Sequence, residues 1–229
     1  MSYLKKLLKE NPSLLMTIVD YHFFPLRSAH PDHGRIFFGE ENPLLGHLAE
    51  KSLRYERCVN RLVLKSLKWE EDLHHFERRE KRLLLTDSLF LEEAVFATGL
   101  VIYSGEIAKE VRGDRVRSLK KQLGQKWYYF ALKKVPFFFA PLEFEVSLPH
   151  DLSDFSKECF RQGFSLWKRV LEPAGPGSFE RLLIKLSSHL SDEGGTVSPF
   201  PISQEKAFSV VRRVVKSLEG GAKWLSLLQ

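Results

Sequence analysis

Residues 47–98 contain neither glycine nor proline, and no other stretch of the chain constrains the fold as strongly. Glycine and proline are the residues that most readily end helices. A long run without them, carrying apolar residues at helical spacing, has to be mostly helix. Tyr55, Val59, Leu62, Ser66, Trp69, Leu73, Phe76, Glu80 and Leu83 recur at alternating spacings of four and three residues, which places them on one face. Ser66 and Glu80 interrupt the stripe, so it is not a pure coiled-coil seam. The other faces carry Glu70, Glu71, Asp72, Glu77, Arg78, Arg79, Lys81 and Arg82. Mixed charge at this spacing predicts a solvated surface.

Thr86, Asp87 and Ser88 offer a fresh helix N-cap inside this run. The next helix is predicted over residues 89–111, with Glu92 and Glu93 near its positive end. Phe90, Leu91, Ala94, Val95, Phe96, Leu100, Val101 and Ile102 make it apolar nearly all round, as a helix in the middle of a core must be. Gly113 and Asp114 predict a turn, and a basic helix over residues 116–134 follows. Leu119, Leu123, Trp127 and Phe130 form its inner side, and Pro136 is expected to end it.

Upstream, Pro12, Pro25, Pro31 and Pro43 make residues 1–46 irregular, apart from a short helix through Asp20 capped by Asn11 or Ser13 and a turn over residues 30–34. Downstream, Leu142, Phe144, Val146 and Leu148 alternate with polar residues between Pro141 and Pro149, the pattern of a short or edge strand. Ser153 is placed to cap a helix carrying Phe155, Cys159, Gly163, Leu166, Trp167 and Val170, closed by Glu172 and Pro173. Residues 179–190 fit either helix or strand, and residues 192–201 read as a flexible, turn-rich loop. Ser203 caps a last helix with Phe208, Val211, Val215 and Leu218, and Gly220 and Gly221 stop it.

The expectation is a mainly α protein. It forms one compact helical domain over residues 1–229 with at most a short strand or hairpin. Its parts are an irregular stretch at 1–46, a long helical region at 47–111, and helices plus one short strand at 112–229. Leu100, Ile102, Leu123, Phe130, Leu166 and Trp167 are its expected core.

Signatures of catalysis and metal binding are missing from the sequence. Cys58 and Cys159 are the two cysteines, too few and too far apart for a disulfide framework or a zinc cage, which points to a reducing compartment. His30 and His33 flank Pro31 and Asp32 without a matching ligand pair, His74 and His75 are adjacent on a helix, and the remaining histidines are isolated. No GxSxG elbow, GxxxxGK[ST] loop or GxGxxG turn occurs. The carboxylate pairs Glu70–Glu71 and Glu92–Glu93 sit in helical contexts that explain them. No catalytic, cofactor-binding or metal residue is therefore expected, and the chain does not read as an enzyme. Lys5, Lys6 and Lys9 precede an apolar run, residues 14–19, too short to span a bilayer, and no other stretch approaches that length; a cytoplasmic location follows.

The net charge of +6 and pI of about 9.2 suggest an acidic partner, such as nucleic acid, anionic lipid or an acidic protein, where the plainer reading is solubility alone. Arg112, Arg115, Arg117, Lys120 and Lys121 cluster around one turn and helix start, the expected contact with a protein partner. Lys126, Lys133 and Lys134 extend the cluster, with Trp127, Tyr128 and Tyr129 among them. Interleaved basic and aromatic residues can bind single-stranded nucleic acid, so a basic helical nucleic-acid-binding protein is the alternative reading. An acidic protein surface would use the same residues through forked arginine contacts.

Three ordered stretches carry a resemblance. Gly99-Leu100-Val101-Ile102 is followed by Gly105-Glu106-Ile107. Leu123-Gly124 precedes Tyr128, Phe130, Ala131 and Leu132. Gly163-Phe164 with Leu166-Trp167 is followed by Glu172-Pro173, Arg181-Leu182 and Lys185-Leu186. In this order, over about residues 95–186, the chain resembles the SctK (YscK/PscK) family of type III secretion systems. The resemblance implies a cytoplasmic adaptor of the sorting platform, sited at the cytoplasmic face of the inner membrane. It would lie between the inner-membrane ring protein (SctD-like) and the pod protein (SctQ-like), with no enzymatic activity, cofactor or small-molecule substrate.

Overall fold

The computed structural model describes residues 9, 12–30, 33, 52–66, 78–138, 146–175 and 177–225, and every regular element among them is helical. Two compact units divide the chain. One comprises Met1–Leu91, Leu171–Gly195 and Ser226–Gln229, the other Glu92–Val170 and Thr196–Leu225.

In the first unit, α1 (Pro12–Phe23), α2 (Pro25–Ser28) and α3 (Leu53–Ser66) are tied by polar contacts. Arg27 forks onto Glu56 at 2.5 and 2.8 Å and reaches Asp20 at 2.9 Å. Buried Asn60 accepts from the Leu26 backbone N–H at 3.0 Å and donates to the Glu56 carbonyl at 2.8 Å. The N-terminal stretch is thus more helical than its prolines suggest. Pro25 sits in the first turn of α2, where no N–H is needed.

The apolar stripe of α3 is displaced from its expected line. Asn60, Val63 and Leu64 face inward while Leu62 is 65% exposed. Trp69, Leu73, Phe76, His74 and His75 lie outside the described residues. Further on, α4 (Arg79–Arg82) runs into a 3₁₀ turn at Leu83–Leu85. Here Lys81 and Arg82, expected in solvent, are buried together with Glu80, Leu83 and Leu84. Periodicity located the helix but not its inward face, because the neighbours that enclose Lys81 and Arg82 are not legible from local spacing.

Later segments complete this unit. The unit also holds a 3₁₀ turn at Glu172–Ala174, α9 (Ser178–Leu183) and α10 (Ser188–Gly195), so residues 179–190 are two helices joined by a turn at 184–187, and α10 also overturns the start of the predicted loop at 192–201. Arg181 donates to the Tyr21 carbonyl at 2.5 Å and lies over the Tyr21 ring at 4.3 Å. The His30 N–H donates to the Ile184 carbonyl at 2.8 Å.

The second unit is organised by two helices, α5 (Ser88–Lys109) and α8 (Phe155–Leu171), from Glu92 and up to Val170 respectively. The N-cap of α5 is Asp87, whose carboxylate accepts from the Phe90 N–H at 2.8 Å. By length and composition α5 could cross a membrane, contrary to expectation, but most of it is buried in the protein, as in a core helix.

The two helices meet at Gly99 and Gly163. A Cβ on Gly99 would stand 1.7 Å from the Cys159 carbonyl oxygen, and one on Gly163 would stand 2.1 Å from the Val95 carbonyl oxygen. Backbones can approach this closely only without side chains. Trp167, fully buried, donates its indole N–H to the Thr98 hydroxyl at 3.2 Å, which in turn donates to the Ala94 carbonyl at 2.6 Å. Phe96 packs against Phe160 at 4.9 Å and Trp127 at 5.2 Å between ring centroids. All six expected core residues are buried.

Around this pair lie α6 (Gly113–Tyr129), α7 (Val135–Phe138), α11 (Gln204–Ser217) and α12 (Gly221–Leu225). Gly113 starts α6 rather than forming a separate turn. Gly124, at φ 72°, breaks its helical path. Pro136 does not end the basic helix. A π turn over Phe130–Lys134, with the Val135 N–H donating to the Phe130 carbonyl, precedes it, and helix continues as α7. Within the predicted strand, residues 146–148 form no regular element, and 142–145 lie outside the described residues. Ser153 bonds its hydroxyl to Asp151 at 3.0 Å instead of capping α8. Ser203 caps α11 as expected, accepting from the Lys206 N–H at 3.3 Å. The rest of the 192–201 segment is pinned along α8. The Phe200 N–H donates to the Ser165 carbonyl at 2.9 Å, Lys168 to the Val197 carbonyl at 2.7 Å, and Ser165 to the Ser198 carbonyl at 2.6 Å.

Gly163→Ala is expected to destabilise the protein by about 1–3 kcal/mol or more, because the new methyl meets backbone that cannot swing aside. Gly105→Ala, at an exposed helical site with open space around it, should instead stabilise by about 0.5–1 kcal/mol. Denaturant unfolding of both variants checks the opposite signs.

Candidate functional site

The basic stretch begins where α5 hands over to α6, and its cations divide by what they touch. Glu110 accepts from the Arg112 backbone N–H at 3.1 Å and its side chain at 3.2 and 3.4 Å, and from Arg115 Nε at 2.7 Å. The Arg112 side chain and its backbone N–H hold the Glu110 carboxyl down to about 2. Arg115 spends its remaining fork on the chain itself, donating to the carbonyls of His150 at 2.7 Å and Pro149 at 2.8 Å. Its side chain is only 13% exposed. Arg115 is therefore a clip joining the helix start to the 149–150 segment, a role that charge density alone does not reveal.

Arg117, Lys120 and Lys121 are different. Lys120 and Lys121 each lie about one turn of α6 after Arg117, and all three are exposed, whereas Leu119 and Leu123 are buried. None forms an ion pair among the described residues; Lys120 sits 5.2 Å from the Tyr128 ring. The structure thus leaves three of the five expected contact residues exposed along the start of α6.

The aromatic residues interleaved further along do not form a stacking platform. Tyr128 and Phe130 are buried and Trp127 is half-buried, leaving Tyr129 exposed. Lys126 lies 4.8 Å from the Trp127 ring and Lys133 5.1 Å from the Tyr129 ring.

Other chemical groups have structural surroundings. Cys159 lies in the core, where burial pushes its thiol well above the ordinary range, and Cys58 is exposed. Among the described residues no group of three His, Cys, Asp or Glu could hold a metal ion. His33 is buried, with Nε2 at 2.8 Å from the Leu186 carbonyl and 3.0 Å from the Ser191 hydroxyl.

Sequence periodicity missed Lys185. It is buried and donates to the carbonyls of Leu84 at 2.6 Å and Thr86 at 2.8 Å, which lie where the 3₁₀ turn ends. Burial lowers its pKa to about 8, against an opposing pull from Asp87. A lysine between Ile184 and Leu186 gave no sign of this, because its acceptors are carbonyls about a hundred residues away along the chain.

The described residues make a helical, basic protein with exposed cations along one helix. The family model of YOP proteins translocation protein K (YscK) matches residues 15–220, and the chain belongs to that family. It is thus a type III secretion protein with a part in protein transport. The match extends well beyond residues 95–186, which carried the sequence resemblance, and takes in α1 and α11. No curated protein and no solved structure matches the chain.

Arg115→Ala should destabilise the fold by about 1–3 kcal/mol, since it strands two carbonyls and takes one donor from Glu110, whereas Arg117→Ala should change stability by less than about 0.5 kcal/mol. Chemical denaturation separates them. Lys185 binds its proton less tightly folded, at about 8, than unfolded, at 10.5. The unfolded state therefore holds more protons between these values, so its contribution makes stability rise with pH across that window, by up to about 1.4 kcal/mol per pH unit. Unfolding measured from pH 7 to 10.5 should show this slope in the native chain and lose it in Lys185→Met.

Proposed function

We propose that this protein is a non-enzymatic adaptor of the type III secretion sorting platform. It works at the cytoplasmic face of the inner membrane and links a ring protein (SctD-like) to a pod protein (SctQ-like). Membership of the YscK family supports the setting. The observation that carries the mode of action is the cationic face of Arg117, Lys120 and Lys121, without an ion pair among the described residues and held on the helical part of α6 that precedes Gly124. Such a face docks an acidic surface of a partner, with Arg112 and Arg115 holding the helix start in place from behind.

A fixed array of charges at the rim of an interface acts chiefly on association. It raises the encounter rate at low salt, and ions in solution screen the effect over about a Debye length. The aromatic contribution that a nucleic-acid reading requires is largely used inside the protein, which favours the acidic protein partner.

Arg117→Glu combined with Lys121→Glu should slow association with the SctQ-like or SctD-like partner and flatten its dependence on salt. The helical circular dichroism signal should be unchanged. Rates measured at low and high ionic strength test this, and equal rates and equal salt slopes for variant and native chain would return the face to ordinary solvation. Co-purification from the native cell with nuclease-sensitive material, in place of ring and pod proteins, would favour the nucleic-acid alternative.

A further inference from the structure

Beyond the cationic face of α6, the second unit contains a pocket of about 250 Å³ that the proposed docking role does not use. One wall is the end of α6 and the π turn, contributing Lys126, Trp127, Tyr129, Lys133 and Lys134. The opposite wall is the C-terminal end of α11, with Ser217 and Leu218. The surface inside is mainly apolar, built from the rings of Trp127, Tyr129 and Phe130 and the Leu218 side chain.

Three lysines stand at this pocket, and two acidic residues, Glu93 and Glu219, also reach it. Glu93 is already paired with Lys126 at 2.5 Å. Among the described residues Lys133 makes only a ring contact, and Lys134 lies 3.5 Å from the Ser217 carbonyl, at the limit of a hydrogen bond. Two exposed ammonium groups thus flank an apolar hollow without a carboxylate partner of their own among the described residues. An apolar hollow with cations at its edge complements a bulky apolar side chain with carboxylates beside it.

We infer that this pocket is a second docking site, which takes one leucine or aromatic side chain from an acidic segment of a partner protein. The ring walls receive the apolar side chain, and Lys133 and Lys134 pair with the flanking carboxylates. The volume suits a single side chain rather than a helix face. It shares no residue with Arg117, Lys120 and Lys121, so the two sites fail or succeed separately.

The probe is a capped pentapeptide, Glu-Asp-Leu-Glu-Asp, titrated into the full chain and followed by the NMR signal of the Trp127 indole N–H, assigned with Trp127→Phe. A saturable shift is expected, weakened about tenfold by Lys133→Glu with Lys134→Glu and left alone by Arg117→Glu with Lys121→Glu. Replacing the peptide leucine with serine should also weaken binding about tenfold. No shift with the peptide, a shift indifferent to the leucine, or a stronger shift with a ten-nucleotide oligothymidylate would overturn the assignment. Both lysines are exposed, so their variants should retain the native circular dichroism, and loss of binding then reports the pocket itself.

Discussion

The contact on which the second unit depends is the crossing of two helix backbones at Gly99 and Gly163. Each glycine lies where a methyl group would overlap a carbonyl oxygen of the other helix. That proximity brings Thr98 within reach of the Trp167 indole, so the largest buried side chain has its one polar atom satisfied. It also brings Tyr103 to Glu158, with the hydroxyl donating at 2.9 Å. The remaining elements pack on this fixed pair: Ser156 on α8 bonds the Gln122 carbonyl of α6 at 2.5 Å, and Arg169 bonds the Ile202 carbonyl just before α11 at 2.8 Å. Small residues set the distance and large ones fill the space around it.

This explains why the resemblance motifs fall where they do. Gly99 and Gly163 define the crossing, while Leu166 and Trp167 fill its flank. Arg181 and Lys185 belong to the first unit, where they bond backbone carbonyls of Tyr21, Leu84 and Thr86. Gly105, in the same motif as Gly99, meets nothing. The structure gives no packing reason for it.

Much of the fold was legible because its signals are local. A run without Gly or Pro, an Asp87 cap, a Ser203 cap and an all-apolar helix each state their consequence within a few residues. The errors came where the deciding partner is distant. Lys81 and Arg82 look like solvent residues until the neighbours that bury them are known. Pro136 looks like a stop unless the chain shifts to a π turn first. Arg115 resembles Arg117 in sequence, yet its acceptors at residues 149 and 150 are 34 and 35 positions away. Charge density located the candidate site, and only geometry could divide it.

That division changes what a net charge of +6 means for binding. Lys81, Arg82, Arg181 and Lys185 are buried in the first unit, and Arg115 is engaged in the second. These charges add to the total but cannot approach a partner's carboxylates. Their cost of burial is offset inside the protein, where carbonyls and aromatic faces replace water. The charges that remain outside on α6 and its continuation sit at set positions on either side of the Gly124 break, so under the proposed docking role an incoming surface meets a fixed spacing rather than a diffuse cloud. A partner's acidic residues would then have to match the rise between Arg117 and Lys121, about 6 Å, and a mismatch would leave one pair screened by water. Selectivity in the proposed adaptor would therefore come from which cations the fold has consumed as much as from those it displays.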